Sequence, residues 1–226
     1  MDFENRVVTS FQLFGQEVWI TQTQTSTWLV MIVLILIALY VRATLKKFAE
    51  VPENRKQNII EAIIEVFDNF VKSVMGEENR KYAGWFFGVF VYIISANFSG
   101  LFGVRPPTAD IAATLALSIT TFLVVTGSAI VKAPKEYFKG LLQPFPVFLP
   151  MNLFSEFSIV ISLAFRLFGN ILSGLVITSI LYYLVAWPVV VLGLFAPIHA
   201  YFDIFAGAMQ ALIFTMLSMI FVKNKI

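Results

Sequence analysis

The chain has no cysteine and a single histidine, His199, in 226 residues. Without cysteine there is no disulfide framework, no thiolate nucleophile, no covalent haem attachment and no thiolate metal site. One histidine cannot supply the paired imidazoles of a catalytic zinc, so no metal and no cofactor are expected. Charge is also scarce. Asp, Glu, Lys and Arg make up 13% of the chain and apolar residues 58%, whereas soluble domains carry about 25% charge. A net charge of +2 is too small to suggest a nucleic-acid partner. There is no Gly-x-x-x-x-Gly-Lys-Ser/Thr loop and no glycine-rich strand–turn–helix pattern, so a nucleotide's phosphates have no binding loop here.

What is present is long apolar sequence. No acidic, basic or histidine side chain falls between Glu17 and Arg42, between Lys81 and Arg105, or between Asp110 and Lys132. From Phe157 to Val222 only Arg166, His199 and Asp203 interrupt 66 residues. A bilayer-spanning helix needs roughly 20 apolar residues, so the sequence predicts an all-α membrane protein of about five spans. These lie near Ser26–Val41, Ala83–Phe102 and Ile111–Val131, with the last two within Leu153–Tyr183 and Val189–Val222, divided near Trp187-Pro188. The residue before proline avoids helical geometry, which suits that boundary. The first 25 residues lack the basic start and apolar centre of a cleavable signal, so the first span is expected to remain. The chain thus divides into an external segment 1–25, peripheral spans within 26–150, and a helical hairpin over 151–226.

Basic residues set the orientation. Eight lie between spans one and two, three between spans three and four, and Lys223 and Lys225 come after span five; the opposite side has Arg6 and Arg105. Thirteen against two places the N-terminus outside and the C-terminus in the cytoplasm.

Residues 53–82 form the one amphipathic stretch. Ile59, Ile60, Ile63, Ile64, Phe67, Phe70, Val71 and Val74 recur at three- and four-residue spacing, with Glu61, Glu65, Asp68 and Lys72 around them. Such a helix lies on the membrane, packs on the bundle or binds a partner. Gly84 and Gly88 match a common small-residue packing motif. The last two spans share 66 residues, or about 33 each and roughly 50 Å of helix. That exceeds the hydrocarbon thickness of about 30 Å, so steep tilt is expected.

Span four carries Ser155, Ser158, Ser162, Arg166, Asn170 and Ser173 at helical spacing, one continuous polar strip. Asp203, Gly207, Gln210 and Ser218 repeat the pattern in span five, while the first three spans lack it. In a hairpin turning near 186–188, Arg166 is expected beside Gly207 and Asn170 beside Asp203. Arginine in mid-membrane costs from about 2.5–3.5 kcal/mol upward. Glu156 lies ten residues away, about 15 Å along the helix, too far for an intrahelical pair. An Arg166–Asp203 staple is the plainer reading, but an apolar contact would join two helices at lower cost, and intramembrane charge is functional by default. His199, alone and near the outer end, reads first as a structural hydrogen-bonder.

The segment Ser162-Leu163-Ala164-Phe165-Arg166-Leu167-Phe168-Gly169-Asn170 resembles the signature of subunit a of the rotary F-type ATP synthase. Pro106-Pro107-Thr108-Ala109-Asp110, Leu142-Gln143-Pro144-Phe145, Pro150-Met151-Asn152 and Gln210-Ala211-Leu212-Ile213-Phe214 resemble further motifs of that family. The resemblance implies a stator subunit in a bacterial-type cell membrane, its last two helices set against the c ring. Its partners would be the c-ring subunits, the peripheral-stalk b subunits, the rest of the complex and membrane lipid. It implies no catalytic site on this chain.

By the same resemblance Arg166 faces the c-ring carboxylate, with Asn170 and Gln210 at accompanying polar positions. Glu156 falls on the cytoplasmic access path and Asp203 on the outer one, where Asn97, Asp110 and His199 are further candidates. Leu175 and Gly100 stand where some members carry ionisable groups. The implied function is two offset half-channels, separated by Arg166, that carry protons, or alternatively sodium ions, to and from the ring and so couple ion flow to ATP synthesis. The rival is a self-contained secondary transporter with Arg166 binding an anionic substrate; such folds show internal repeats and broken helices, and neither is visible.

Overall fold

The computed structural model describes residues 7–13, 15–46, 48, 55–184, 193 and 196–225. Among these, five helices are long and apolar enough to cross a membrane, and the protein is an all-α membrane protein. A two-stranded antiparallel hairpin, β1 (Val7–Leu13) and β2 (Gln16–Thr21), precedes them. The helices are α1 (Gln22–Leu45), α2 (Arg55–Met75), α3 (Ala83–Phe98), α4 (Ile111–Lys132), the short α5 (Pro134–Leu141) and α6 (Leu149–Leu184). The last, α7 (Ala196–Lys225), contains a π-helical stretch over Ala200–Ala206. The expected division at Trp187-Pro188 lies outside the described residues.

Helix α1 begins four residues earlier than its apolar run. Thr21 and Gln24 form a reciprocal capping box, the Gln24 amide N–H donating to the Thr21 hydroxyl and the Thr21 N–H to the Gln24 side chain. Ser26 and Thr27 donate to the carbonyls of Gln22 and Thr23, so their hydroxyls are satisfied within the helix. Only Thr23, Ser26 and Val30 of α1 are buried, which leaves most of its surface for lipid. Helix α6 has 36 residues, about 54 Å of helix.

The amphipathic stretch divides in two. Phe67, Val71 and Met75 in the second half of α2 pack with Phe86, Val125, Met219 and Val222. Ile59, Ile63 and Ile64 in the first half are exposed. The bundle therefore accounts for one half of the apolar face, and the other half remains for lipid or a partner. Asp68 pairs with Arg80 at 3.0 Å and fixes the turn into α3. Gly84 and Gly88 sit on an exposed face with no neighbour within contact distance; they do not form a helix–helix seam in this chain.

Apolar contact brings little net gain where lipid is equally apolar, so close approach and internal hydrogen bonds hold the bundle. Helix α4 supplies the seam. Thr114, Ser118, Thr121, Val125 and Ala129 are its buried residues, small and spaced by three or four. The expectation that the third span lacks a polar strip is thus corrected: its strip is short, hydroxyl-bearing and turned inward against α6 and α7. Thr121, Thr215 and Ser218 each donate back to a carbonyl four residues earlier. Ser118 is fully buried, and its hydroxyl has no partner among the described residues. Ser118→Ala is therefore expected to be neutral or slightly stabilising. Ser118→Leu should force α4 away from its neighbours, at about 1–3 kcal/mol, read as a lower Tm of the protein in mild detergent.

Candidate functional site

Helix α6 has two unlike faces. Val160, Leu163, Ala164, Leu167, Ile171, Gly174 and Thr178 are buried against the bundle. Ser155, Ser158, Ser162, Arg166 and Ser173 are exposed, and Asn170 is half-buried, so the polar strip lies on the outward side. No hydrogen bond or ion pair reaches Arg166 among the described residues. The Arg166–Asp203 staple is not formed.

Asp203 instead belongs to a chain of three groups at the far end of α6. The Asp203 carboxylate lies 2.7 Å from His199 Nδ1, and His199 Nε2 lies 2.8 Å from the Tyr182 hydroxyl. With the carboxylate ionised, Nδ1–H donates to Asp203 and Nε2 accepts from Tyr182. The π-helical stretch contains Asp203 and begins directly after His199; such segments insert a residue into the helical repeat. His199 and Tyr182 face a cavity of about 710 Å³ whose lining includes Gly100, Arg105 and Leu175. Gly100 and Leu175 thus lie on the same cavity as His199.

The helices meet three residues further along than expected. The Asn170 amide donates to the Ala206 carbonyl at 3.3 Å, and Phe202 lies where a Cβ on Gly174 would reach; both pairs of residue numbers sum to 376. Asn170 is therefore level with Ala206, not Asp203, and Arg166 with Gln210 rather than Gly207. Gly207, Gln210 and Ser218 are buried and turned toward the bundle, so the fifth span's polar residues do not extend the strip on α6. The Gln210 Nε2 group has no partner among the described residues.

Asn97 and Asp110 hold the frame. Buried Asn97 donates to the Gly207 carbonyl at 2.9 Å and accepts from the Thr108 hydroxyl at 2.8 Å. This bracket ties α3, the turn before α4 and α7 together, and a Cβ on Gly207 would come within 3.1 Å of Asn97. Asp110 is the N-cap of α4, accepting from the Ala112 N–H at 2.9 Å. Neither is among the residues lining the outer cavity.

A second cavity, about 370 Å³, opens at the other end of α6 and is lined by Glu136, Tyr137, Asn152, Ser155, Glu156 and Lys225 among others. Asn152 donates to the Leu141 and Gln143 carbonyls, both at 2.9 Å, which pins the approach loop to the start of α6 one turn before Glu156. Glu156 is paired with Lys225. Burial and the neighbouring Glu156 charge push the Tyr137 phenol upward, so Tyr137 stays protonated near neutral pH. In the sequence Lys225 is legible only as a charge that sets orientation. Tyr182 has no signal there at all, standing in an apolar run 17 residues before its partner.

Residues 25–223 match the family model described as ATP synthase A chain. The chain is 34% identical over 224 residues to the ATP synthase subunit a, sodium ion specific, of Propionigenium modestum, covering 92% of this chain and 74% of that protein. It is 30% identical over 211 residues to the ATP synthase subunit a of Moorella thermoacetica, covering 91% and 90%. A third relative, the ATP synthase subunit a 1 of Crocosphaera subtropica, is 31% identical over 217 residues, covering 94% and 90%.

The three-group chain at the outer cavity makes a cooperative unit. Tyr182→Phe and Asp203→Ala each remove one of the two bonds to His199. The double variant should lose less than the sum of the two single losses, with a coupling of about 0.5–3 kcal/mol, read as non-additive Tm shifts in detergent; strict additivity would dissolve the unit.

Proposed function

Because this chain belongs to the ATP synthase A chain family, we propose that its ion-translocating function rests on two half-channels separated by Arg166. The family membership makes it a multi-pass membrane-sector subunit of the ATP synthase complex, acting in ion translocation, and sets aside the self-contained transporter. The finer reading is supported above all by one observation: Arg166 is exposed, without a partner among the described residues, midway along α6 between cavities at the two ends of that helix. Glu156 lies ten residues to one side and Tyr182 sixteen to the other, about 15 and 24 Å.

In this reading the peripheral spans lie within 26–150 and the translocating hairpin is 151–226. The N-terminus is outside and the C-terminus cytoplasmic, so the cavity with His199 opens outward and the one with Glu156 inward. Protons or sodium ions arrive past Tyr182, His199 and Asp203 and neutralise a carboxylate on the c ring. The neutral carboxylate can then face lipid, turn, and release its ion toward Glu156. Asn170 accompanies Arg166 at the ring, Gln210 stands level with Arg166 on the bundle side, and Asn97 and Asp110 brace the outer path. The b subunits of the peripheral stalk hold the chain against rotation.

Arg166 does two things here. Its positive charge favours the ionised form of a facing carboxylate, so the ion is given up before the carboxylate passes. It also repels a cation that would cross directly. One charge moving through 100 mV carries about 2.3 kcal/mol, and a leak would dissipate it. Arginine keeps its charge when desolvated, whereas lysine shifts readily.

Arg166→Ala should therefore abolish ion-driven ATP synthesis by the assembled complex, and Arg166→Lys should lower it at least tenfold; near-normal coupled synthesis with Lys would remove the barrier role. Cysteines at 158, 162, 169 and 173 should cross-link to the c-subunit helix, with 168 and 175 silent. Cysteines at 156 and 203 should react with impermeant thiol reagents from opposite sides of the membrane. The same side for both would overturn the half-channel assignment.

A further inference from the structure

The cavity at the cytoplasmic end contains a cation that the proposed function does not use. Lys225, on the last turn of α7, reaches across to α6 and pairs with Glu156, a residue 69 positions earlier. Both side chains are about 15% exposed, at 14% and 15%. The ammonium also stands over two aromatic rings from two other helices, Phe122 of α4 at 5.6 Å and Tyr137 of α5 at 5.7 Å. Both lie within cation–π range. Four helices thus converge on one ammonium group. Lys223, two residues away, behaves differently: it donates to the Val74 carbonyl at the end of α2.

An ammonium so placed does more than neutralise a buried acid. The cavity is open to water-sized molecules, and its charged lining consists of Glu136, Glu156 and Lys225. Any cation that uses this cavity meets a carboxylate already occupied by a cation on a tether. Tethering holds a competitor at an effective concentration in the millimolar range, and no dissociation can dilute it.

We propose that Lys225 is a tethered competitor for the coupling ion at the inner access cavity, occupying Glu156 between passages and giving way to each arriving ion. The inference rests on the inner-path role proposed for Glu156. Lys225 acts through Glu156 and is a positioning residue, not an ion carrier. Its effect is to keep Glu156 from retaining ions, so that release to the cytoplasm stays fast. Removing the ammonium leaves Glu136 and Glu156 as the charged residues lining the cavity, and a free cation then binds there more tightly.

The test is ATP-driven ion uptake by the assembled complex in inverted membrane vesicles, whose cytoplasmic face meets the bath. The proton or sodium concentration in the bath is varied and half-saturation and maximal rate are read separately. Lys225→Gln should lower the half-saturating concentration about 3–10-fold, a larger change than any in the maximal rate. In a Glu156→Gln background the same substitution should leave half-saturation where Glu156→Gln alone puts it. Lys225→Arg keeps the cation and the ring contacts, and should hold half-saturation at or above the wild-type value, which provides a test should the Gln variant fail to assemble. An unchanged or raised value for Lys225→Gln, the same shift without Glu156, or a fall with Lys225→Arg would each overturn the competitor. If Arg166→Ala remains uncoupled while Lys225→Gln causes no shift, this proposal alone fails; if Arg166→Ala couples normally, the reading beneath it fails.

Discussion

A polar group in hydrocarbon must find a partner within the protein or face water, and most of this structure obeys that requirement. The hydroxyls of α4 and α7 are largely satisfied by carbonyls of their own helices, which lets small side chains make the seam without leaving unmatched groups. Asn97 is satisfied twice, by Gly207 and Thr108. Its short amide can reach a helix carbonyl only because position 207 has no side chain in the way. Arg166, which has no partner among the described residues, lies on the outer surface, where water or another subunit can meet it.

The π-helical stretch belongs to the same logic. An ordinary helix through 200–206 would present its groups at a constant pitch. The wider turn re-aims the helix beyond it, and the carbonyls of Ala206 and Gly207 take side-chain amides from α6 and α3. The stretch also lies between His199, which faces the outer cavity, and Gln210, which faces the bundle. A local departure from regular helix thus serves two surfaces that a constant pitch would place on one line.

Five spans, the amphipathic helix and the strip on α6 are legible in the sequence because each is a repeated signal along many residues, and repetition survives errors at single positions. Arg166 is legible because charge in a long apolar run is conspicuous. The pairings are not. Register between α6 and α7 depends on the turn joining them and on the π-helical insertion, and neither has a periodic signature; an offset of three residues is enough to separate Asp203 from Asn170. Tyr182 and Lys225 give no sign of their partners because each contact is tertiary. The strip on α4 escapes notice because Thr and Ser do not stand out in a run that remains strongly apolar on average. Asn97, Asp110 and Gln210 are conspicuous as polar residues in apolar surroundings, but whether such a residue conducts or braces depends on its partners, which only the packed structure supplies.

The charges of the last two helices can be read as one set. The carboxylates there are Glu156 and Asp203, and each already has a nitrogen partner within the chain, Lys225 for Glu156 and His199 for Asp203. Neither is left to neutralise Arg166. A permanently charged guanidinium that must not stay unmatched in a bilayer, in a chain whose nearby carboxylates are engaged, calls for a carboxylate from outside. In the function proposed above that carboxylate comes and goes. The small residues around Arg166 fit that need: Ser162, Gly169 and Ser173 leave room for another helix to pass closely. A moving carboxylate on a helical partner, as proposed above for the c ring, would satisfy the charge and the clearance together.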